Sequence, residues 1–344
     1  MKPIKALLKL PLALTVGIAT AFTAFAAPSP TLERVKKNGY LRCGVGEGLI
    51  GFSAPDAKGH WTGLDADFCR AVAAAIFDDP TKVRFTPTSA KVRFTALQAG
   101  DFEILARNTT WSMSRDTQLG VDFIGVNYYD GQGFMVPKRL NVTSAKQLNG
   151  ANICTGTGTT TELNLADYFR AANLKYKVVA YERAPEVLAA YDNGRCDAYT
   201  TDISGLYAQR LNLKAPNDHL ILPEVISKEP LGPAVRQGDP QWADLVRWTL
   251  FALLNAEELG VTSKNADQML KSANPEVRRL LGVEGAFGDA LGLPKDWAYR
   301  LVKRVGNYGE IFERNIGQGS LLKIRRGQNA LWKNGGLMYA PPVR

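Results

Sequence analysis

Ten consecutive residues, Arg107-Asn108-Thr109-Thr110-Trp111-Ser112-Met113-Ser114-Arg115-Asp116, combine hydroxyl and amide side chains with two arginines, one first and one next to last. They follow an apolar, strand-like run, Phe102 to Ala106, so they should emerge at the carboxyl end of a strand, where open α/β sheets bind ligands. Asn108, Thr109, Thr110 and strand-end backbone groups can hold a ligand's polar atoms. Arg115 offers a planar fork of donors matched to a carboxylate. Arg107 can pair with a second carboxylate or bond an amide, or it can form an outward-facing salt bridge. An exposed polar loop is the plain alternative for the whole stretch.

A second set of such residues lies further along. Ala151-Asn152-Ile153-Cys154 reads as a short strand leading into Thr155-Gly156-Thr157-Gly158-Thr159-Thr160-Thr161-Glu162 at a helix start. Thr159 and Glu162 have capping-box spacing, and glycines beside a helix N-terminus expose backbone N–H groups to an anion. Simple helix capping without a ligand is the competing reading. The strand Arg195 to Thr201 then ends at Asp202. Taken alone, Asp202 reads as the cap of a helix over Ile203 to Gln209.

The two sets occupy matching places. Each follows a helix, a glycine stop (Gly100, Gly194) and a strand, and an acid stands three residues past each glycine, Glu103 and Asp197. Two sheets presenting polar strand ends to one ligand would need this arrangement. Arg115 on one side and Asp202 on the other are complementary to a zwitterion, Arg115 facing its carboxylate and Asp202 its ammonium.

Stepping along the chain, strands are expected over Tyr40 to Val45, at Val83, Phe85 and Pro87, over Lys177 to Tyr181 and over Ala234 to Arg236. Helices are expected from Leu64, with Leu64, Phe68, Val72, Ala75 and Ile76 on one face, and over Ser89 to Ala99, Ala184 to Asn193 and Trp242 to Leu259. Gly44-Val45-Gly46-Glu47-Gly48 places its third glycine one residue too early for a dinucleotide-binding fingerprint. Pro137 cannot donate in a sheet ladder and marks a lobe boundary nearby; Pro223, Pro230 and Gly232 mark a return crossing. The expected architecture is α/β with two lobes, each a mostly parallel sheet flanked by helices, joined by two crossings. Lobe one comprises 31–135 with 232–344, and lobe two 136–231. The segment from about 261 reads as a helical elaboration on lobe one.

The first residues read as a secretory signal: Lys2, Lys5 and Lys9, an apolar run interrupted by three threonines, and the small-x-small site Ala24-Phe25-Ala26. Cleavage after Ala26 leaves 318 of 344 residues and lowers the formal charge from +9 to +6. A retained membrane anchor is disfavoured because the run barely reaches the roughly 20 residues a span needs. Basic residues are scattered rather than striped among aromatics, which argues against nucleic acid. The four cysteines, Cys43, Cys69, Cys154 and Cys196, contain no C-x-x-C pair, so no metal is expected, and an even count in an exported chain favours disulfides. Three pairings are possible. Cys43–Cys69 with Cys154–Cys196 keeps each bridge inside one lobe, whereas a cross-lobe bridge would oppose hinge motion.

Gly63-Leu64-Asp65-Ala66-Asp67, Ala96-Leu97-Gln98-Ala99-Gly100, Thr109-Thr110 through Arg115, Val121-Asp122-Phe123, Gly158-Thr159-Thr160 with Glu162, and Gly194-Arg195-Cys196-Asp197-Ala198 with Asp202 resemble the periplasmic polar amino-acid binding proteins of ABC importers. The resemblance spans roughly residues 31–260 in the family's order. The tail, Asn307-Tyr308-Gly309-Glu310 and Gly335 to Pro342, with the cysteine positions, is similar to the general L-amino-acid binding subgroup. It implies the type II periplasmic-binding-protein fold and a periplasmic protein without cofactor, acting as a monomer with a free L-amino acid and an inner-membrane ABC permease as partners. Residue by residue, it implies Arg115 and the Thr160 region on the α-carboxylate, Thr110 and Asp202 on the α-ammonium, and Asn108 and Thr109 alongside. Members preferring cationic or aromatic ligands place an aromatic near Gly48-Leu49-Ile50. Here stand Leu49 and, further on, Phe52, so the expected specificity is broad, leaning toward Glu, Gln, Asp and Asn. Two alternatives share the scaffold. An enzyme, such as a dehydratase, would need an acid or base in the cleft, for which only His60, His219 and Glu47 offer themselves; a ligand-sensing partner of a membrane receptor would share the pocket.

Overall fold

The computed structural model describes residues 28–344, so the expected signal peptide lies outside the described residues. Two five-stranded sheets organise the rest. In the first, the strands stand in the order Val83–Pro87, Leu41–Val45, Ile104–Leu105, Ala234–Arg236, Val121–Phe123. In the second, the order is Tyr176–Tyr181, Ala151–Gly156, Ala198–Asp202, Gln132–Pro137, His219–Ile221. In each sheet the first three strands are mutually parallel, the fourth is antiparallel, and the fifth pairs antiparallel with the fourth, so all but one run the same way. The reversed strand in each case is the one entered from the other sheet. The molecule has the expected two-lobe α/β architecture of mostly parallel sheets flanked by helices.

The matching acids serve one structural purpose in both lobes. Glu103 accepts from the backbone N–H of Arg42 at 2.9 Å, and Asp197 accepts from that of Asn152 at 2.8 Å. Each carboxylate thus satisfies an N–H at the start of the neighbouring strand, which would otherwise lack a ladder partner. Glu103 is buried and also holds the Arg42 guanidinium. This fixes the register of both strands whose carboxyl ends face the cleft.

The chain crosses between sheets at a two-stranded antiparallel ribbon, Tyr128–Asp130 with Glu229–Leu231. Gln132–Pro137 already pairs in the second sheet from its first residue, Gln132 opposite Asp202, because the strand is buried on both faces and needs partners along its length. Pro137 stands at the far end of that strand, opposite His219, and the crossing itself precedes it.

Helix Leu64–Phe77 buries the expected face and most of the opposite one. Its alanine-rich outer side is covered by Trp297–Val305, a C-terminal helix, and a helix apolar all round is stable only when covered all round. The C-terminal segment also reaches the ribbon. The Asn329 side-chain amide accepts from Tyr129 N at 2.6 Å and donates to Tyr129 O at 3.0 Å, and Tyr308 Oη donates to Asn127 O at 2.8 Å. Tyr129 turns both backbone groups away from Pro230, and this amide pairs them on the ribbon's outer edge.

The disulfides are Cys43–Cys69 and Cys154–Cys196, the pairing that keeps each bridge within one sheet and its helices.

Candidate ligand-binding site between the two sheets

The carboxyl ends of four strands meet around a cavity of about 320 Å3. Gly46, Glu47 and Leu49 follow the first strand; Arg107, Asn108 and Thr110 follow Ile104–Leu105. Opposite them stand Thr159 and Thr160 at the start of helix Thr160–Ala171, and Asp202 at the end of its strand.

The first lobe's jaw is set by a buried aspartate. Asp65 Oδ2 accepts from Asn108 N at 2.7 Å and Oδ1 from Asn127 Nδ2 at 3.1 Å, which holds Asn108 in the left-handed region at φ 34°. Asn tolerates that conformation better than most residues. Asp65 reaches this place because Gly63 has φ 122° and a Cβ there would lie 2.1 Å from Phe52 O, so glycine alone admits the close helix start. Burial pushes the Asp65 carboxyl up to about 6 despite those two donors.

Arg107 lines the cavity, held by Nε donating to Thr88 O at 2.9 Å, and burial pushes its guanidinium down to about 10. It therefore faces the cleft and is no outward salt bridge. Arg93, which the pattern reading did not single out, lines the same wall at 3% exposure. Its Nη1 lies 3.3 Å from Thr109 Oγ1, and its Nε has no partner. Burial, then Arg107 and Arg115 beside it, hold Arg93 well below its ordinary value. A buried donor without a partner costs about 1–3 kcal/mol, more for a charged group, so this wall suits an anionic ligand group. A sequence signal existed: Arg93 precedes Leu97 by four residues on the buried face of its helix, a charge where an apolar residue belongs.

Arg115 is buried, with Nη1 donating to Thr110 O at 3.0 Å and its guanidinium 5.4 Å from the Phe94 ring centroid. It stands behind Thr110 and does not border the cavity. Thr109 does not border it either: its hydroxyl donates to Arg107 O at 3.0 Å. Phe52 is placed in the core, fully buried and edge-on to Tyr128 at 5.2 Å, because the tight turn from Leu49 to Ser53 folds it inward; Leu49 alone of the pair lines the cavity. Thr159 borders the cavity, but its hydroxyl donates to Gly156 O at 2.7 Å and accepts from Glu162 N at 3.2 Å. The side chain is thereby used as a helix cap, and Glu162 reaches Gly158 N, at 3.4 Å.

Asp202 occupies an N-cap position yet makes no side-chain cap bond. Its carboxylate turns across the cleft instead, where Asn108 Nδ2 lies 3.5 Å from Oδ2. Burial, then the neighbouring Asp130 and Glu229 carboxylates, push Asp202 well above the ordinary carboxylate range. One wall therefore holds under-paired guanidinium groups and the facing one a carboxylate that a cation would stabilise.

The family model for bacterial extracellular solute-binding proteins, family 3, matches residues 41–265. The chain belongs to that family. Among relatives of this family-3 protein, the general L-amino acid-binding periplasmic protein of Rhizobium johnstonii is 62% identical over 97% of this chain and 98% of its own. The glutamate/glutamine/aspartate/asparagine-binding protein of Rhodobacter capsulatus is 53% identical over 94% and 96% respectively. A Brucella ovis periplasmic binding protein solved with glutathione bound superposes with TM-score 0.90 at 62% identity, covering 91% of this chain and 99% of that one. In this family-3 chain neither histidine borders the cavity: His60 is exposed beside Asp56, and His219 Nδ1 lies 2.7 Å from Tyr191 Oη on the second sheet's outer edge. Glu47 does border it, tied to Arg183 of the other lobe at 3.2 Å.

Proposed function

We propose that this chain is a periplasmic binding protein that closes on an L-amino acid, preferring glutamate, glutamine, aspartate and asparagine, and hands it to an inner-membrane ABC permease. The carrying observation is the placement of Arg93 and Arg107 against Asp202 across one cavity. The α-ammonium meets Asp202, Asn108 and Thr110. The α-carboxylate meets the free N–H groups at the start of helix Thr160–Ala171 together with Arg115, which stands directly behind Thr110. A side-chain carboxylate or amide meets Arg93 and Arg107. The names of the relatives from Rhizobium johnstonii and Rhodobacter capsulatus support this ligand class. We place the lobes at 31–127 with 232–344 and at 132–228, with the ribbon between them as the hinge of closure. The ligand-loaded closed form, acting as a monomer, is what the permease would read.

A second reading, a γ-glutamyl peptide, rests on the cavity's further borders at Ala184, Leu188, Gln209 and Asn212, beyond what the amino-acid head requires. The glutathione found in the Brucella ovis relative supports it. A thermal-shift panel of the twenty amino acids and glutathione on ligand-stripped protein tests both. A ligand at a hundredfold excess over Kd stabilises by about 2.7 kcal/mol, several degrees in Tm. Glutamate and its three congeners are expected to give the largest shifts. Glutathione alone shifting Tm selects the second reading, and no shift from any compound overturns both.

A further inference from the structure

The hinge ribbon carries a carboxylate that no ligand assignment uses. Glu229 is 1% exposed and collects four side-chain donors. Thr160 Oγ1 donates to its Oε2 at 2.9 Å and Asn164 Nδ2 to its Oε1 at 2.7 Å, both from the second lobe. Thr110 Oγ1, from the first lobe, donates to the same Oε2, and Ser227 Oγ donates to Oε1. The hydroxyls of Thr110 and Thr160 lie 3.3 Å apart, and both residues border the cavity, whereas Glu229 stands behind them.

A hydroxyl has one proton and two lone pairs. With both protons directed backward to one carboxylate, neither threonine can donate to the other or into the cleft. What they present to the ligand is lone pairs. We propose that Glu229 is a positioning residue that sets the polarity of the clamp: it turns the Thr110 and Thr160 hydroxyls into acceptors for the ligand's α-ammonium, leaving the carboxylate to the backbone N–H groups of the helix start and to Arg115. This rests on the amino-acid reading above. It also ties recognition to closure, because one oxygen receives hydroxyls from both lobes and does so only when the lobes are together.

The test compares L-glutamate with glutarate, which keeps both carboxylates and lacks the ammonium, by calorimetric titration of the full mature chain. Wild type should favour glutamate by a large ratio of Kd values. In Glu229→Gln, with the clamp's backing charge removed and one oxygen replaced by a donor, that ratio should fall at least tenfold, chiefly through weaker glutamate binding. A role confined to stability would lower Tm and leave the ratio unchanged, and that result overturns the proposal. Thr160→Val, which keeps the Glu229 carboxylate and its other three donors, supplies the same reading should Glu229→Gln fail to fold: a tenfold fall in the ratio supports the acceptor role, and Thr160→Ser should restore it. Equal binding of glutamate and glutarate by wild type would overturn the zwitterion reading itself, a failure distinguishable from an unchanged ratio in the variants.

Discussion

The two lobes are built alike and charged differently. Both use the same strand order, and both staple the first strand's N–H to an acid three residues past a helix-stopping glycine. At the opposite ends of those strands they diverge. The first lobe ends in Arg107-Asn108 beside Arg93, and the second in Asp202 beside a capped helix start. The lesson is that the repeated part keeps the strands in register, while the differing part sorts the charges of what binds between them. A second asymmetry concerns support: the C-terminal helices cover the first lobe and brace the crossing ribbon through Asn329, and they contact no second-sheet strand extensively.

The comparison breaks most severely when one of the opposed charges goes. Arg115→Ala or Asp202→Ala should cost about 3–5 kcal/mol of glutamate binding, roughly two to four decades in Kd by calorimetry, because the ligand's partner charge is then buried alone. Asp202→Asn should weaken binding similarly and raise the Tm of the ligand-free protein, since it removes an acid that burial already disfavours. Unchanged binding in Arg115→Ala would remove that residue from the site and leave Arg93 and Arg107 to receive both carboxylates.

Arg93→Gln sharpens the division of labour among the arginines. Loss of a charged hydrogen bond is worth about 1.5–3 kcal/mol, so glutamate and aspartate should weaken about tenfold to a hundredfold, glutamine and asparagine less. Equal losses for all four amino acids would show that Arg93 does not read the side chain.

The acids also give the comparison a pH dependence. Burial pushes Asp65 and Asp130 each up to about 6. An acid raised in the folded state binds more protons there than in the unfolded chain between about pH 4 and 6, so its contribution makes stability fall as pH rises through that window. Ligand-free Tm should therefore be higher near pH 5 than near pH 7.5, and Asp65→Asn should flatten the slope. Binding of an ammonium group to Asp202, which burial raises well above the ordinary carboxylate range, favours its ionised form and releases a proton, so glutamate affinity should rise with pH. Titrations in buffers of different ionisation enthalpy measure that proton directly.

The smallest effect is expected at the brace. Asn329→Ala removes two neutral hydrogen bonds to Tyr129, each worth about 0.5–1.5 kcal/mol, and should lower Tm modestly while leaving amino-acid selectivity unchanged. A change in selectivity there would mean that the hinge, and not the cavity wall, sets the preference.

Much of this was legible in the chain because local signals carried it. The glycine stops, the strand-end polar runs and the repeated acids all act within a few residues, and the disulfide pairing followed from the lobes. What escaped depended on tertiary context. Phe52 read as a candidate ligand contact because it stands close to Leu49 in sequence, whereas the tight turn from Leu49 to Ser53 buries it against Tyr128. Thr109 read as a clamp hydroxyl because alternation along an irregular strand end is lost once Asn108 takes a positive φ. Taken alone Asp202 read as a helix cap, and only its orientation across the cleft decides against that. Glu229 stands in a proline-rich crossing with no local pattern, and its four donors come from positions up to 119 residues away in sequence.

The opposed charges are tested most directly by titrating the wild-type protein with L-glutamate, glutarate and γ-aminobutyrate in one calorimetric series. Glutarate lacks the group assigned to Asp202, and γ-aminobutyrate lacks the α-carboxylate assigned to the Thr160 helix start and Arg115. Each analogue should bind at least two decades more weakly than glutamate. Glutarate binding as tightly as glutamate would contradict the zwitterion clamp, because it would mean that Asp202 faces no cation.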